Sequence, residues 1–287
     1  MTITIPAYAK INLFLDIVSL REDKYHNILS LMQKVDLHDL ITVDVTDSDQ
    51  KSIEVSCDNS ALPLGSDNLV YKAADLFPIQ KKIKVSIQKN IPISAGLAGG
   101  STDAAATLVA LNQLTGSKLS VDELKTLGKK LGADVPFCID GKASIVEGIG
   151  DVMTPCASMP RLPMVIARMG EGMSTPAAYR LLDEKYDCFK AYTPKNDLLI
   201  HLTNEKNPLD SANYCKGLYN IFESVVEPLR SDVSRVKSVM NNCRAAGSLM
   251  SGSGTAVFGI FQKESEAKLA VEKLRALGAY AHLCYPI

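Results

Sequence analysis

One stretch limits what this chain can fold into more than any other. It reads Ile91-Pro92-Ile93-Ser94-Ala95-Gly96-Leu97-Ala98-Gly99-Gly100-Ser101-Thr102-Asp103 and continues as an alanine-rich run to about Thr115. The segment before it, KIKVSIQK at 82–89, alternates charge and hydrophobe as a half-buried strand does. A strand therefore feeds a loop of small residues, and the loop opens a helix near Ser101. Gly96, Gly99 and Gly100 admit backbone conformations closed to other residues, and the small neighbours let amide groups approach an anion. The helix start aims unpaired N–H groups and the positive end of its dipole at the same place. Phosphate is the natural ligand of such a turn. Close packing of a helix on a strand is the plainer use of the same glycines. The spacing G-x-x-G-G departs from G-x-x-x-x-G-K-[ST], having no lysine in the turn, and from G-x-G-x-x-G, which disfavours a dinucleotide dehydrogenase.

A second glycine-rich turn, Met250-Ser251-Gly252-Ser253-Gly254-Thr255, lies between two strand-like runs. Alone it reads as a hairpin connection. Two such turns in one chain suit a nucleotide cradle. The rest of the composition narrows the class of partner. Lys plus Arg total 31 against 32 for Asp plus Glu, a net charge of −1, so no general attraction to nucleic acid or an anionic membrane is expected. With 46% hydrophobic and 22% charged residues, 287 residues suffice for one large or two modest domains with a real core. Cysteines stand at 57, 138, 156, 188, 215, 243 and 284. Their number is odd and none forms C-x-x-C, which points to reduced thiols rather than a zinc cluster or disulfide framework. No apolar run is long enough to span a bilayer, and MTITIPAYAK has no basic stretch ahead of its apolar residues as a signal peptide would. A soluble cytoplasmic protein is the expectation.

The pattern predicts two α+β lobes without regular β-α alternation. Residues 2–18 read as one or two strands broken at Pro6, and 28–35, 40–46 and 51–57 as further strands. The loop 58–66 precedes a helix over 67–77 with Ser66 as N-cap, and Ser120 with Glu123 forms a capping box. Residues 131–136 predict a tight turn before a short strand. The proline-rich stretch 150–163 predicts an interdomain crossing. A strand over 163–168 and a helix opened by Thr175-Pro176 follow, then a polar irregular run over 187–212 and helices near 213–224 and 230–242. The tail reads strand 246–250, loop 251–255, strand 256–262, helix 264–277, strand 279–285.

Phosphoryl transfer would need charge neutralisation and help in deprotonating an alcohol. Lys10 and Asn12, two positions apart in the strand Ala7-Tyr8-Ala9-Lys10-Ile11-Asn12-Leu13, project to one face. Alone, Lys10 reads equally as a solvent-facing edge lysine. Asp134 in Gly132-Ala133-Asp134-Val135-Pro136 reads equally as a turn carboxylate bonded to its own backbone. Tyr25-His26 in a polar loop can stack on and hydrogen-bond a planar base, although such pairs also occur on loop surfaces without a ligand. His38, His201 and His282 stand isolated and read as structural.

Taken together, the A-K-I-N-L strand, the P-x-x-x-G-L-A-G-G-S-[ST]-D loop and the late S-G-S-G loop resemble the GHMP kinases, the superfamily of galactokinase, homoserine kinase, mevalonate kinase and phosphomevalonate kinase. Five segments resemble most the branch that phosphorylates a cytidyl-diphosphate sugar alcohol in isoprenoid precursor synthesis: AYAKINLFLDI, REDKYHNI, PISAGLAGGSTDAAATLVALN, LGADVPFC with EGIGD, and MSGSGTAVFG. The resemblance implies a two-lobed α+β fold. Its N-terminal lobe over 1–155 would be like ribosomal S5 domain 2, and its C-terminal lobe over 156–287 ferredoxin-like. It implies ATP and Mg2+, with Lys10 and Asp134 as the catalytic pair. It matches Pro92, Ile93, Ser94, Ala95, Gly96, Leu97, Ala98, Gly99, Gly100, Ser101 and Thr102 to the ATP phosphate loop, with Ser101 near phosphate or the magnesium ion. Asp67-Asn68-Leu69 and Lys89 would line the adenosine pocket. Asn12, Tyr25, His26, Thr175 and Tyr179 would bind the cytidyl substrate, Tyr179 stacking on cytosine and His26 reading its edge. Another small-molecule kinase of the homoserine or mevalonate type is the alternative. A catalytically silent nucleotide-binding protein is a further one, which the presence of both Lys10 and Asp134 disfavours.

Overall fold

A computed structural model describes residues 1–141, 143–186, 199 and 211–287. The expected irregular run at 187–212 lies outside the described residues except at Leu199, Ser211 and Ala212, and Cys188 and His201 fall there too. The chain forms two compact units built from interleaved segments. The first comprises Met1–Ala9, Leu37–Ile91 and Ala98–Gly141, and the second Lys10–Asp36, Pro92–Leu97 and Lys142–Ile287. These units differ from a single cut at 155/156 because two long strands, β1 (Thr2–Leu20) and β2 (His26–Thr46), each contribute to both.

Both strands are longer than the sequence pattern suggests. Met1 and Val45 exchange two backbone hydrogen bonds. Odd-numbered residues at the start of β1 therefore bond to β2, and even-numbered Pro6 turns its missing N–H away from it. The proline thus costs the β2 ladder nothing, and β1 continues through it. In β2 the polar residues Asp36, His38 and Asp39 read as a break, yet Asp39 is buried inside the strand, where its carboxylate accepts hydrogen bonds.

In the first unit, β4 (Lys82–Gln88) pairs antiparallel with β2, Leu40 opposite Gln88 through Thr46 opposite Lys82, and parallel with β3 (Ser52–Cys57). Ile83, Val85 and Ile87 are buried while the intervening lysines, serine and glutamine face out, the period-two alternation expected of this segment. Helix α1 (Leu69–Leu76) is capped by Asn68, not Ser66: Asn68 Oδ1 accepts from the Val70 N–H at 2.8 Å. Helix α2 (Gly99–Thr115) packs against α1, α3 (Val121–Lys129) and α4 (Val135–Asp140), and Thr102–Leu108 is buried without a gap. Its alanines let those neighbours approach closely, so a low-contrast helix becomes an interior one. The Ser120–Glu123 capping box is present at α3. Residues 131–136 form a turn that enters α4 rather than a strand, because Pro136 sits in the first turn, where its missing N–H costs nothing.

The second unit carries the remaining parts of β1 and β2. There β2 pairs antiparallel with β5 (Ser144–Gly148), β5 with β6 (Val152–Pro155), and β1 parallel with the short β8 (Tyr219–Asn220). The same unit holds an antiparallel sheet in the order β11-β7-β10-β9, made of β7 (Met164–Arg168), β9 (Gly247–Met250), β10 (Val257–Ile260) and β11 (Tyr280–Cys284). Helix α5 (Thr175–Tyr186) follows β7. Helices α6 (Ser231–Asn242) and α7 (Glu264–Ala276) pack on this sheet. The β-α-β-β-α-β succession of β7, α6, β9, β10, α7 and β11 is ferredoxin-like. The expected strands and helix of the tail are all present. The proline-rich stretch 150–163 lies wholly inside the second unit instead of crossing between units: the hairpin β5–β6 turns it back on itself. The helix expected near 213–224 is divided into single turns at Ser211–Tyr214 and Glu223–Val226, with β8 between them.

One buried ionic cluster fixes α2 against the sheet of the first unit. Lys89 Nζ donates to Asp39 Oδ2 and, at 2.9 Å, to Asp103 Oδ2 in α2. Asp39 Oδ1 accepts from the backbone N–H groups of Asn90 and Ile91 at 2.6 and 2.8 Å. Burial disfavours the charge on Lys89, but attraction to Asp103 and Asp39 outweighs it and raises the ammonium pKa. Burial pushes the Asp103 carboxyl up to about 8 against the pull of Lys89. Replacing Lys89→Met leaves two buried carboxyl groups without their cation. It is expected to cost about 3–5 kcal/mol, measured by urea unfolding; a loss below about 1 kcal/mol would show that the cluster does not anchor the helix.

Candidate active site

In the second unit the face of β1 that carries Lys10 and Asn12 points inward: both residues are buried, which excludes the solvent-facing reading of Lys10. Lys10 Nζ donates to Asn12 Oδ1 at 2.8 Å, Asn12 Nδ2 donates to Ser30 Oγ at 2.8 Å, and Ser30 Oγ donates to the Phe14 carbonyl at 2.7 Å. This relay fixes the orientation of the Asn12 amide and places a cation at its end. Ser30, on β2, completes the relay without any warning in the sequence, where it is one more serine in a strand.

The two glycine-rich turns meet in the same unit. Gly96 (φ +77°) lies so close to the late loop that an added Cβ would fall 2.0 Å from the Ser251 carbonyl oxygen, and one on Gly252 would fall 2.9 Å from the Gly96 oxygen. Ser251 Oγ donates to the Gly96 carbonyl at 3.0 Å and accepts from the Asn12 N–H at 3.3 Å. The Ala256 N–H donates to the Ala95 carbonyl at 3.2 Å, and the Lys10 N–H to the Leu97 carbonyl at 3.2 Å. Pro92–Leu97, the late loop and the Lys10 strand are thus one hydrogen-bonded assembly. Arg168 donates to the Ile93 carbonyl, and an added Cβ on Gly172 would sit 2.1 Å from the Ser94 oxygen.

A third group in this unit surrounds His26. Its ring lies 4.8 Å from that of Tyr179, and the Tyr179 ring meets Phe222 edge-on at 4.9 Å. His26 Nε2 and Asp183 Oδ1 are 2.7 Å apart. Thr175 Oγ1 and Ser253 Oγ are hydrogen-bonded at 3.0 Å, joining the start of α5 to the late loop. Tyr25 is 63% exposed, an aromatic surface open to a planar ligand. Of the expected substrate residues, His26 and Tyr179 are in direct contact, and Thr175 and Asn12 each bond to the late loop. Asp183 escaped the sequence reading although it stands four residues after Tyr179, a spacing that puts the two on one helix face. Phe222 carries no local signal; topology alone brings it in.

The first unit holds the rest of the glycine-rich segment, from Ala98 onward. Ala98 adopts the left-handed conformation (φ +58°) and α2 begins at Gly99, two residues earlier than Ser101. Thr102 N–H to the Ala98 carbonyl, 2.9 Å, closes the first helical turn. The N–H groups of Gly99, Gly100 and Ser101 therefore have no intrahelical acceptor. The Thr102 hydroxyl donates to the Tyr8 carbonyl at 2.7 Å, so Ser101 supplies the accessible hydroxyl of the turn. Asn68 is committed to capping and to the Pro63 carbonyl, and the Lys89 ammonium to its two carboxyl partners. Of the expected adenosine-pocket residues, Asn68 thus holds the start of α1 and Lys89 ties α2 to its sheet. Asp134 precedes α4 at the cap position and is partly exposed, and its side chain makes no capping hydrogen bond to that helix. Among the described residues no cluster of His, Cys, Asp and Glu could hold a metal ion, the six described cysteines are free, and no helix is long and apolar enough to cross a membrane. Because its Cβ would meet backbone rather than a movable side chain, Gly96→Ala is expected to destabilise by about 1–3 kcal/mol. Gly65→Ala, where nothing lies within 4 Å, should be near neutral; equal chemical-denaturation midpoints for the two would refute the interlock.

The comparisons with known proteins agree along the chain. The family model for the GHMP kinases N terminal domain matches residues 68–142, and that for the GHMP kinases C terminal matches 201–279. A 4-diphosphocytidyl-2-C-methyl-D-erythritol kinase of Caldicellulosiruptor saccharolyticus is 43% identical over 273 residues, covering 94% of this chain and 91% of that protein. One from Clostridium botulinum (strain Eklund 17B / Type B) is 40% identical over 275 residues, covering 94% and 95%. A crystal structure of 4-(cytidine 5'-diphospho)-2C-methyl-D-erythritol kinase superposes with a TM-score of 0.79 at 31% identity, covering 99% of both chains. Identity at this level, sustained through both halves, means that the chain belongs to the 4-diphosphocytidyl-2-C-methyl-D-erythritol kinase family of GHMP kinases.

Proposed function

We propose that the chain transfers the γ-phosphoryl group of ATP to the 2-hydroxyl of 4-diphosphocytidyl-2-C-methyl-D-erythritol, giving ADP and the 2-phosphate, in the cytoplasmic methylerythritol phosphate route to isoprenoid precursors. The observation that carries this reading is the 43% identity, over 94% of the chain, to a relative of that name. The geometry supports it from within each unit. A buried lysine is oriented by a side-chain relay, and an aromatic and imidazole cluster is suited to a pyrimidine. A helix start offers three N–H groups to phosphate. The division into lobes at 155/156 is kept as part of the reading, with the two family matches falling on either side of it.

In this mechanism Asp134 accepts the proton of the substrate hydroxyl. The alkoxide oxygen bonds to the γ-phosphorus as the bond to the β–γ bridging oxygen breaks, and ADP leaves with that electron pair. Lys10 holds the hydroxyl and neutralises its developing charge, with Asn12 fixing the ammonium. Residues 92–102 hold the triphosphate, with the N–H groups of Gly99, Gly100 and Ser101 directed to its phosphates. Tyr25, Tyr179, Thr175 and His26 bind the cytidyl end. Asn68 and Lys89 lie along the adenosine. Magnesium would be held by the nucleotide phosphates with Ser101, shielding their charge. A donor set of one hydroxyl, with no carboxylate cage among the described residues, fits an ion that keeps several waters and arrives on its nucleotide.

Asp134→Asn should lower kcat by about 10² or more while leaving ATP affinity within a few-fold, read by steady-state kinetics beside nucleotide titration. Unchanged turnover would remove Asp134 from the mechanism. A coupled ADP-release assay should show turnover with the cytidyl substrate, none with homoserine or mevalonate, and loss of turnover on magnesium chelation that added magnesium restores. Turnover with mevalonate or homoserine alone would overturn the substrate assignment, and turnover unaffected by chelation would overturn the magnesium one.

A further inference from the structure

Asn220 ends the short strand β8, which joins β1 at Phe14 and Leu15. It is buried, and each half of its amide is spent on a different part of the second unit. Nδ2 donates to the Met250 carbonyl at 2.7 Å and to the Gly252 carbonyl at 2.8 Å, holding the late glycine loop at two points. Oδ1 accepts from the Phe222 N–H at 3.0 Å. Phe222 is the ring against which Tyr179 rests, and Tyr179 in turn packs on His26. On its other side the same loop hydrogen-bonds through Ser251 to Gly96 and Asn12. A neighbour adds a further grip: Glu223 Oε1 accepts from the Met250 N–H at 2.8 Å and is held by Lys237 at 2.9 Å. No other side chain among these bonds joins the aromatic cluster and the glycine loop through its own two ends.

We propose that Asn220 is a positioning residue that sets the spacing between the base-reading cluster of His26, Tyr179 and Phe222 and the glycine loops beside Lys10. This rests on the proposed phosphorylation of a cytidyl substrate and deepens it. A substrate that carries a base at one end and a reacting hydroxyl at the other must be gripped at a fixed separation, because displacement of the reacting atom by about 1 Å costs about 10² in rate. Asn220 touches neither end, and its hydrogen bonds tie the two grips to one rigid planar group. Only an amide fits: the two N–H bonds of one amino group meet two carbonyls while an acceptor meets an N–H, so a carboxylate of the same shape would face the carbonyl pair with lone pairs instead of protons.

The test is Asn220→Asp, an isosteric change, beside Leu274→Ala. Leu274 is a buried residue of α7 outside these hydrogen bonds, and its truncation destabilises the same unit by another route. Turnover is expressed per folded molecule, counted by near-ultraviolet circular dichroism and unfolding curves at the assay temperature. Cytidine diphosphate and ADP are each titrated alone. Asn220→Asp is expected to lower kcat per folded molecule about 10², while the dissociation constants of cytidine diphosphate and ADP each change less than about five-fold and Leu274→Ala keeps wild-type turnover per folded molecule. Glu223→Gln, which keeps an acceptor for Met250, should retain most activity, and Glu223→Ala should lose more. If Asn220→Asp loses activity only in proportion to its unfolded fraction, or if it weakens cytidine diphosphate binding as much as it lowers kcat, the spacing role is wrong. Should Asn220→Asp not fold, Asn220→Ser, which keeps a donor and an acceptor, is measured in its place against the same criteria. Wild-type protein inactive on the cytidyl substrate would overturn the proposed reaction; a wild-type enzyme that is active and insensitive to Asn220→Asp would overturn the spacing role alone.

Discussion

The contact between Gly96 and Ser251 governs the second unit. Two backbones approach so closely that a single methyl group at Gly96 would overlap a carbonyl oxygen at 2.0 Å, and three further hydrogen bonds depend on that proximity. The glycines are required there by space as well as by backbone angle. Once the loops are interlocked, the Lys10 strand is bound to both: its own N–H reaches Leu97 and the Asn12 N–H reaches Ser251. A residue near the start of the chain, a loop near its middle and a loop near its end thereby share one hydrogen-bond network. The orientation of the Lys10 ammonium follows from it through Asn12.

The chemistry was more legible in the sequence than the elements that carry it. Lys10 and Asn12 fall on one strand face as period-two spacing requires, and the strand–loop–helix reading of 82–115 holds, with α2 starting two residues earlier. That discrepancy has a local cause: Ala98 takes the left-handed turn conformation, so the helix can begin at Gly99. The tail was readable because each of its elements is short, strongly patterned and flanked by turn residues. The long strands were not. Pro6 and the polar residues Asp36, His38 and Asp39 look like breaks to any local rule, and only the pairing geometry of Met1 with Val45 and the burial of Asp39 explain why the strands continue.

Site residues divide along the same line. Those proposed to act through their own chemical type were visible: a lysine in an apolar strand, a tyrosine beside a histidine, a run of glycines. Those that act by holding others were not. Ser30, Asn220, Glu223 and Phe222 occupy unremarkable sequence, and each matters through a partner distant along the chain. Asp183 is the intermediate case, since helical spacing from Tyr179 was available to find it. Lys89 shows the converse. The resemblance matched it to the adenosine pocket, and the fold surrounds its ammonium with two carboxyl groups that no sequence window displays together.

The interleaving of the two units has a bearing on biosynthesis. Every segment of the first unit has been made once Gly141 leaves the ribosome, so that unit can become compact while translation is still under way. Residues 10–36 belong to the second unit, whose remaining strands lie between Lys142 and Ile287. Until the residues from Lys142 onward are made, Ile11, Leu13 and Ile17, buried in the folded unit, lack the larger part of that unit, and apolar surface left open on a nascent polypeptide is the kind that chaperones recognise. The strand of Lys10 is therefore made long before the loop that locks it in place, Ser251 following its partner Asn12 by 239 residues.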